Sequence, residues 1–342
     1  MSVFVAEELS EVLNTKVVIG RINMGLLNRI IIDDVLLDDQ SGQEMLKVTR
    51  LSAKFDIMPF FKGKISISSV QLFGFNINLR KETPDSPPNF KFVLDAFASK
   101  DTVKKENSLD LRINSILIRR GRMSYHVLSE QETPGKFNAK HIQLQNIIAN
   151  ISLKALSKDS LNLGIKRLSL DEKASGFSLK KMSLKLVANN KQTNIDNFTI
   201  ELPETSLKLD TIHLEYDSLK AFDRFTEQVH FSFRTLPSQV TLKDISPFVP
   251  ILSHFKEPVT LDMEVKGTVD QLTCSHLEIT ADDRQFRLRG DVSLQDLSRP
   301  QDAYVYGTLS ELSANTRGVG FLVRNLSPNY NGVPPLLERL GN

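Results

Sequence analysis

Six histidines, a single cysteine and a cluster of aspartates are the residues of this 342-residue chain best suited to chemistry. His126, His141, His213, His230, His254 and His276 do not stand in the HxxxH or HxH spacing that would present two imidazoles to one metal. Cys274 is alone, so neither an internal disulfide nor a thiolate zinc site can form within the chain. It occupies an apolar position of a strand-like run and reads as a small buried hydrophobe. Asp33, Asp34, Asp38 and Asp39 lack the spacing of a calcium loop and read as solvated turn charges. Arg119, Arg120 and Arg122 flank Gly121 and read as exposed turn charges, with contact to anionic head groups as the sharper alternative. A GxSxG elbow, a Walker loop and a GxGxxG turn are all missing, and Gly318-Val319-Gly320 alone carries no information. Asp and Glu are too plentiful for sequence to single out a carboxylate pair. The expectation is a protein that is not an enzyme and needs no cofactor or metal.

The elements beneath these residues carry more information. Apolar residues recur with a gap of three and then a gap of two, as in Ile32/Val35/Leu37, Ile67/Val70/Leu72 and Ile113/Ile116/Ile118. The spacing returns at Ile165/Leu168/Leu170, Leu179/Met182/Leu184, Ile195/Phe198/Ile200, Leu209/Ile212/Leu214 and Cys274/Leu277/Ile279. A strict strand alternates with period two, so a gap of three is expected to move the apolar set to the other face, through a bulge or a new strand. The runs are rich in β-branched residues, which suit a pleated, half-buried surface. About sixteen strands side by side would span on the order of 75 Å, a width that must twist, curl or close to bury one face. The fold expected is mostly β: an elongated, curled antiparallel sheet forming a groove, with a short N-terminal helix and a few peripheral helices.

The net charge of +2 gives no concentrated basic face, which argues against a nucleic-acid partner. No apolar run reaches the roughly 18 residues of a membrane span. Glu7, Glu8 and Glu11 rule out a signal peptide, so the chain as written shows no export signal or anchor.

Along the chain, residues 2–14 read as an amphipathic helix with Val3, Val5, Leu9, Val12 and Leu13 gathering toward one side. Residues 1–80 hold this helix and the first strands. Residues 81–108 interrupt the pattern with a Pro-rich loop and a short helix, capped by Asn89 and carrying Phe90, Val93, Leu94 and Phe97 on one face. This insertion either packs plainly or lies as a lid. A β-meander groove is expected over 109–228 and a second β-groove unit over 229–333, with a helix over 310–325 around Leu312, Phe321 and Leu322. The motif at Val249-Pro250-Ile251-Leu252 restarts at Pro334-Pro335-Leu336-Leu337. Residues 334–342 therefore read as the start of a further unit, and the chain as the N-terminal portion of a longer repetitive protein.

A lead helix entering VVIGRINMGLLNRIIIDDVLLDDQSGQEMLKVTRLSAKFDI, then ISISSVQLFGFNINL, resembles the start of a TamB-type protein, a translocation and assembly module related to the AsmA-like proteins. LPSQVTLKDISPFVPILSHFKEPVTLDMEVKGTV and the restarted VPPLLERLGN resemble later units of that family. The likeness covers nearly all the chain and lies in pattern and order, not in catalytic residues. It implies a β-taco with an apolar interior in the cell envelope, crossing the periplasm and anchored in the inner membrane by an N-terminal helix missing from this chain. It also implies phospholipid acyl chains as cargo, a TamA-like outer-membrane barrel as partner, and a part in outer-membrane protein assembly and secretion. The groove candidates are Ile67, Leu72, Ile113, Ile118, Ile165, Leu170, Leu184, Ile200 and Leu214. Two other readings stand beside the lipid conduit: a scaffold that templates barrel strands by β-augmentation, and a closed β-sandwich binding module.

Overall fold

The computed structural model describes residues 2–26, 28–55, 67–98, 114–156, 160–281, 285–299 and 302–326. Ile113, the linker 101–108 and the restarted motif at 334–342 lie outside them. Among the described residues the chain is mostly β, with seventeen strands and a short helix at its start. It divides into two compact units, Met1–Leu153 with Lys166–Ser178, and Lys154–Ile165 with Leu179–Asn342.

The first unit opens with helix α1 (Ser2–Leu13) and strands β1 (Val17–Gly25), β2 (Arg29–Asp38), β3 (Glu44–Phe55) and β4 (Ile67–Lys81), each paired antiparallel with the next. Helix α2 (Lys91–Ala98) follows, then β5 (Ser115–Val127) and β6 (His141–Leu156). β5 runs parallel to β4, the one departure from the expected antiparallel order among the printed pairings. A parallel return needs a crossover of about a dozen residues or more, and the Pro-rich insertion supplies that length. Its described part packs plainly. Phe90, Phe92 and Val93 join Val5, Ala6 and Leu13 of α1 over Val17, Ile19, Leu37 and Met45. Val3, Leu9 and Val12 are exposed instead, because α1 turns Ala6 to the sheet. Leu94 is exposed, and the side chain of Phe97 lies outside the described set. Asn89 does not cap α2: its carboxamide bonds the Arg80 amide, the Asn78 carbonyl and Asp39.

The aspartate cluster differs from the solvated expectation. Asp33, Asp38 and Asp39 are buried, and Asp34 alone of the four is exposed. The Arg50 guanidinium bonds Asp33 at 2.7 Å and holds its carboxyl below the usual carboxylate range. Burial pushes the Asp39 carboxyl up, but hydrogen bonds from Ser41, Gln43 and Asn89 outweigh it and the net shift is downward. Arg80 closes on the same carboxylate at 2.7 Å. The cluster thus shapes the β2–β3 turn. Arg119, Arg120 and Arg122 lie within β5 and not in a turn; Arg120 sets its guanidinium over the Phe73 ring, 5.1 Å from the centroid.

The second unit takes in β8 (Ser178–Asn189), β9 (Gln192–Glu201), β10 (Ser206–Lys208), β11 (Ile212–Glu215), β12 (His230–Arg234) and β13 (Ser238–Val240). It continues through β14 (Val259–Gly267), β15 (Gln271–Ala281), β16 (Phe286–Gln295) and β17 (Tyr304–Ala314), with β7 (Ser160–Glu172) divided between the units. Short helical turns over 219–228 cover Tyr216 and Val229. The last helix spans Thr316–Leu326, shorter than expected, and Leu312 belongs to β17. Its Phe321 and Leu322 pack on Ala281 and Phe286. A Cβ at Gly318 would come 2.1 Å from the Gln285 carbonyl oxygen, so only glycine lets the helix approach this closely.

The gap of three has a cause other than the one expected. Asp34, Gly74, Arg120, Asn146 and Asn197 adopt positive φ between 53° and 64°. Each lies in the gap of an apolar triplet: Ile32/Val35/Leu37, Leu72/Phe75/Ile77, Ile118/Gly121/Met123, Leu144/Ile147/Ala149 and Ile195/Phe198/Ile200. A left-handed residue takes up one extra position and returns the next side chain to the same face. Leu72, Phe75 and Ile77 accordingly pack into one cluster. The bulge preserves the apolar face that it was expected to reverse.

Candidate functional site

In the first unit, strand register turns the triplets into continuous apolar rows. One row runs Ile22–Ile32–Leu51–Leu72–Ile118–Ala149 across six strands. The next holds Ile19, Val35, Val48 and Phe75, then Gly121 paired with Ile147. A third runs Val17–Leu37–Leu46–Ile77–Met123–Leu144. Val48, Phe75 and Ile147 are buried at the centre, with Leu72, Ile118 and Leu170 packed around them. Gly121 makes this possible, since a Cβ there would stand 2.4 Å from the Phe75 ring. The opposite face of β4 and β5 carries Asn76/Arg122, Asn78/Ser124 and Arg80/His126.

The second unit repeats the arrangement. Its rows include Leu261–Ile279–Leu288–Leu312, Met263–Leu277–Gly290–Leu309 and Val265–Cys274–Val292–Gly307. Cys274 is buried there, and burial pushes its thiol pKa up, as suits an inert small hydrophobe. The other face carries Asp262, Glu278, Arg289 and Glu311 in register, with Arg289 bonded to Glu278 at 2.9 Å. Along β17 the apolar row is open: Val305, Leu309 and Leu312 are exposed.

A cavity of about 360 Å³ opens in this unit. Leu161, Leu186, Ala188, Ile195, Leu214, Tyr216, Leu219 and Phe222 supply most of its lining, with Thr193 and Asn189 among the polar members. The Tyr216 hydroxyl donates to the Asn189 carbonyl at 2.7 Å and meets Thr193 at 2.9 Å, so its polar end is already satisfied. What remains suits an apolar guest, and the volume lies in the roughly 300–1,000 Å³ range of small-ligand sites. The larger cavity of about 690 Å³ in the first unit is of another kind. Arg21, Asp33, Arg50, Gln71 and Arg119 line it, and Asp33 is already paired with Arg50.

The groove candidates fall as follows. Ile67, Leu72, Ile118, Ile165, Leu170, Leu184, Ile200 and Leu214 are all half-buried. Leu72, Ile118 and Leu170 meet in the cluster around Phe75, and Leu214 lines the apolar cavity. Ile200 is flanked by Met182 and Leu207, and Leu184 stands at the register shift opposite Asn197. Ile67 pairs with Phe55 at the edge of the rows. Sequence reasoning missed Phe75, Ile147 and Gly121 at the centre, and Leu161 and Phe222 at the cavity. The signal for the first group was the same three-then-two spacing, read one triplet further along β4, β5 and β6.

The fold and this surface define a mostly β protein built around apolar rows. No protein-family model matches the chain, and no curated protein matches it. No helix among the described residues is long and apolar enough to cross a membrane.

Proposed function

We propose that this chain is part of a TamB-type envelope protein whose apolar β-surface carries phospholipid acyl chains between membranes, in support of outer-membrane assembly. The observation that carries the reading is the set of unbroken apolar rows, joined in the second unit by an apolar cavity beside Leu214. Each CH₂ moved from hydrocarbon into water costs about 0.8 kcal/mol, so a chain of ~16 carbons is held in its bilayer by roughly 12 kcal/mol unless an apolar path continues beneath it. Rows of Ile, Leu, Val and Phe supply such a path, with similar contacts at each step and no chemistry to perform. The protein is therefore read as a conduit and not an enzyme, with an outer-membrane barrel as its partner and the periplasm as its place of work. A photo-crosslinking residue at Leu214 should label phospholipid in cells, whereas one at Arg122 on the polar face should not. Equal labelling at both would remove the apolar surface as the carrier.

The strand-templating reading also has an observation of its own. β17 pairs with β16 and carries exposed Tyr304, Val305, Tyr306, Leu309 and Leu312, a composition suited to receiving another strand. Crosslinks from β17 to a nascent barrel protein, without lipid, would favour it.

A further inference from the structure

On the polar face of the first unit, away from the apolar rows, three side chains converge. His126 near the end of β5 and His141 at the start of β6 are register partners. Glu132 stands in the loop between these strands. The two Nδ1 atoms are 3.0 Å apart. The Glu132 Oε1 lies 3.9 Å from His126 Nδ1 and 4.0 Å from His141 Nδ1. One ligand atom from each residue falls within 4.8 Å of the others.

Hydrogen bonding fixes what His141 offers. Its Nε2 is 2.9 Å from the Glu130 carbonyl oxygen. A carbonyl only accepts, so Nε2 carries the hydrogen, and in the neutral ring Nδ1 is left as a lone pair. That lone pair is buried and faces a second imidazole nitrogen and a carboxylate. An imidazole N–H held by a backbone carbonyl is the arrangement that orients metal-ligating histidines.

We propose that His126, His141 and Glu132 form a binding site for a divalent transition cation of the zinc type, with both Nδ1 atoms and the Glu132 carboxylate as ligands. Two ligands on tetrahedral zinc stand roughly 3.3 Å apart, close to the separation of the Nδ1 pair. The carboxylate has to move in by about 0.6 Å to match, and Glu132 is exposed on its loop and free to do so. Two imidazole nitrogens select zinc, copper or nickel over calcium and magnesium. Neighbouring cations are already engaged. Arg80, beside His126 on β4, binds Asp39 at 2.7 Å, and Lys140 binds Glu130 at 2.8 Å. Three protein ligands leave a position for water, and the bound ion would pin the β5–β6 loop to both strands.

The test is titration of the tag-free, chelator-stripped full chain with zinc chloride, followed by calorimetry and thermal melting. One saturable zinc per chain is expected, with a rise in melting temperature that magnesium does not produce. His126→Asn and Glu132→Gln should each weaken zinc binding by at least about tenfold. Glu132→Gln changes an exposed side chain, so its metal-free melting temperature should match the parent and separate lost binding from lost folding. Absence of saturable zinc binding, an equal response to magnesium, or parental zinc affinity in both variants would overturn the site.

Discussion

Val48, Phe75 and Ile147 sit mid-row on the apolar face of β1–β6 and are 4%, 7% and 8% exposed; Leu309 and Leu312, in rows of the β14–β17 face, are 53% and 58% exposed. The residue types and the spacing rule are the same. The neighbours differ. In the first unit, residues at the bulges bring Phe75 across Gly121 onto Ile147, and α1 and α2 cover one end of the face. In the second, the last helix covers only the end at Ala281 and Phe286, and the row along β17 stays open. Burial, worth about 25 cal/mol per Å² of apolar area, is thus collected as stability in one place and left open to a guest in the other.

Substitution at the two kinds of site should separate stability from binding. Phe75→Ala empties the buried centre and should cost about 3–5 kcal/mol, read as a lower urea midpoint. Gly121→Ala drives a Cβ into the Phe75 ring and should cost about 1–3 kcal/mol. Pairing it with Phe75→Leu should recover part of that loss, a coupling that a double-mutant cycle measures directly. If Gly121→Ala proves neutral, the ring does not lie across β5 as described.

Acid should weaken the first unit through two buried carboxylates. Burial raises the Glu172 pKa, but hydrogen bonds from Ser175, the Gln143 amide and the Ala174 amide outweigh it, and the carboxyl is held below its ordinary 4.5. Asp39 is held below its ordinary 3.8. With folded-state values depressed, the unfolded chain takes up these protons first as pH falls. Their contribution is therefore full above the ordinary values and lost as pH drops through the folded ones. Urea midpoints taken from about pH 5 down to pH 3 should fall, and Asp39→Asn with Glu172→Gln should flatten that slope while lowering the midpoint at neutral pH.

The smallest stability effect belongs to the open row. Leu309→Ser with Leu312→Ser should shift the midpoint by less than about 0.5 kcal/mol per site, as exposed positions do, yet should reduce bound apolar dye. A large loss of stability would show that the row is covered in solution.

Much of this contrast was legible in the sequence, and its limits are instructive. The lead helix, the strands and the apolar triplets were readable because period and β-branching are local. The direction of each bulge was not, because the extra position at Asp34, Asn146 or Asn197 looks in sequence like a loss of phase. Only the strand partners show that the phase is restored. The buried Asp33 and Asp39 were unreadable for a related reason: the groups that satisfy them, Arg50, Arg80 and Asn89, arrive from later segments. His126 and His141 stand fifteen residues apart and meet only because a hairpin closes between them.

The central claim is that the apolar rows and the cavity at Leu214 receive acyl chains. Mass spectrometry of lipid extracted from the detergent-free, purified chain tests it most directly. The account predicts stoichiometric phospholipid, reduced when Leu214 is replaced by Glu in a protein that remains folded. A monodisperse protein carrying no lipid would contradict it, and would mean that the apolar face closes on itself.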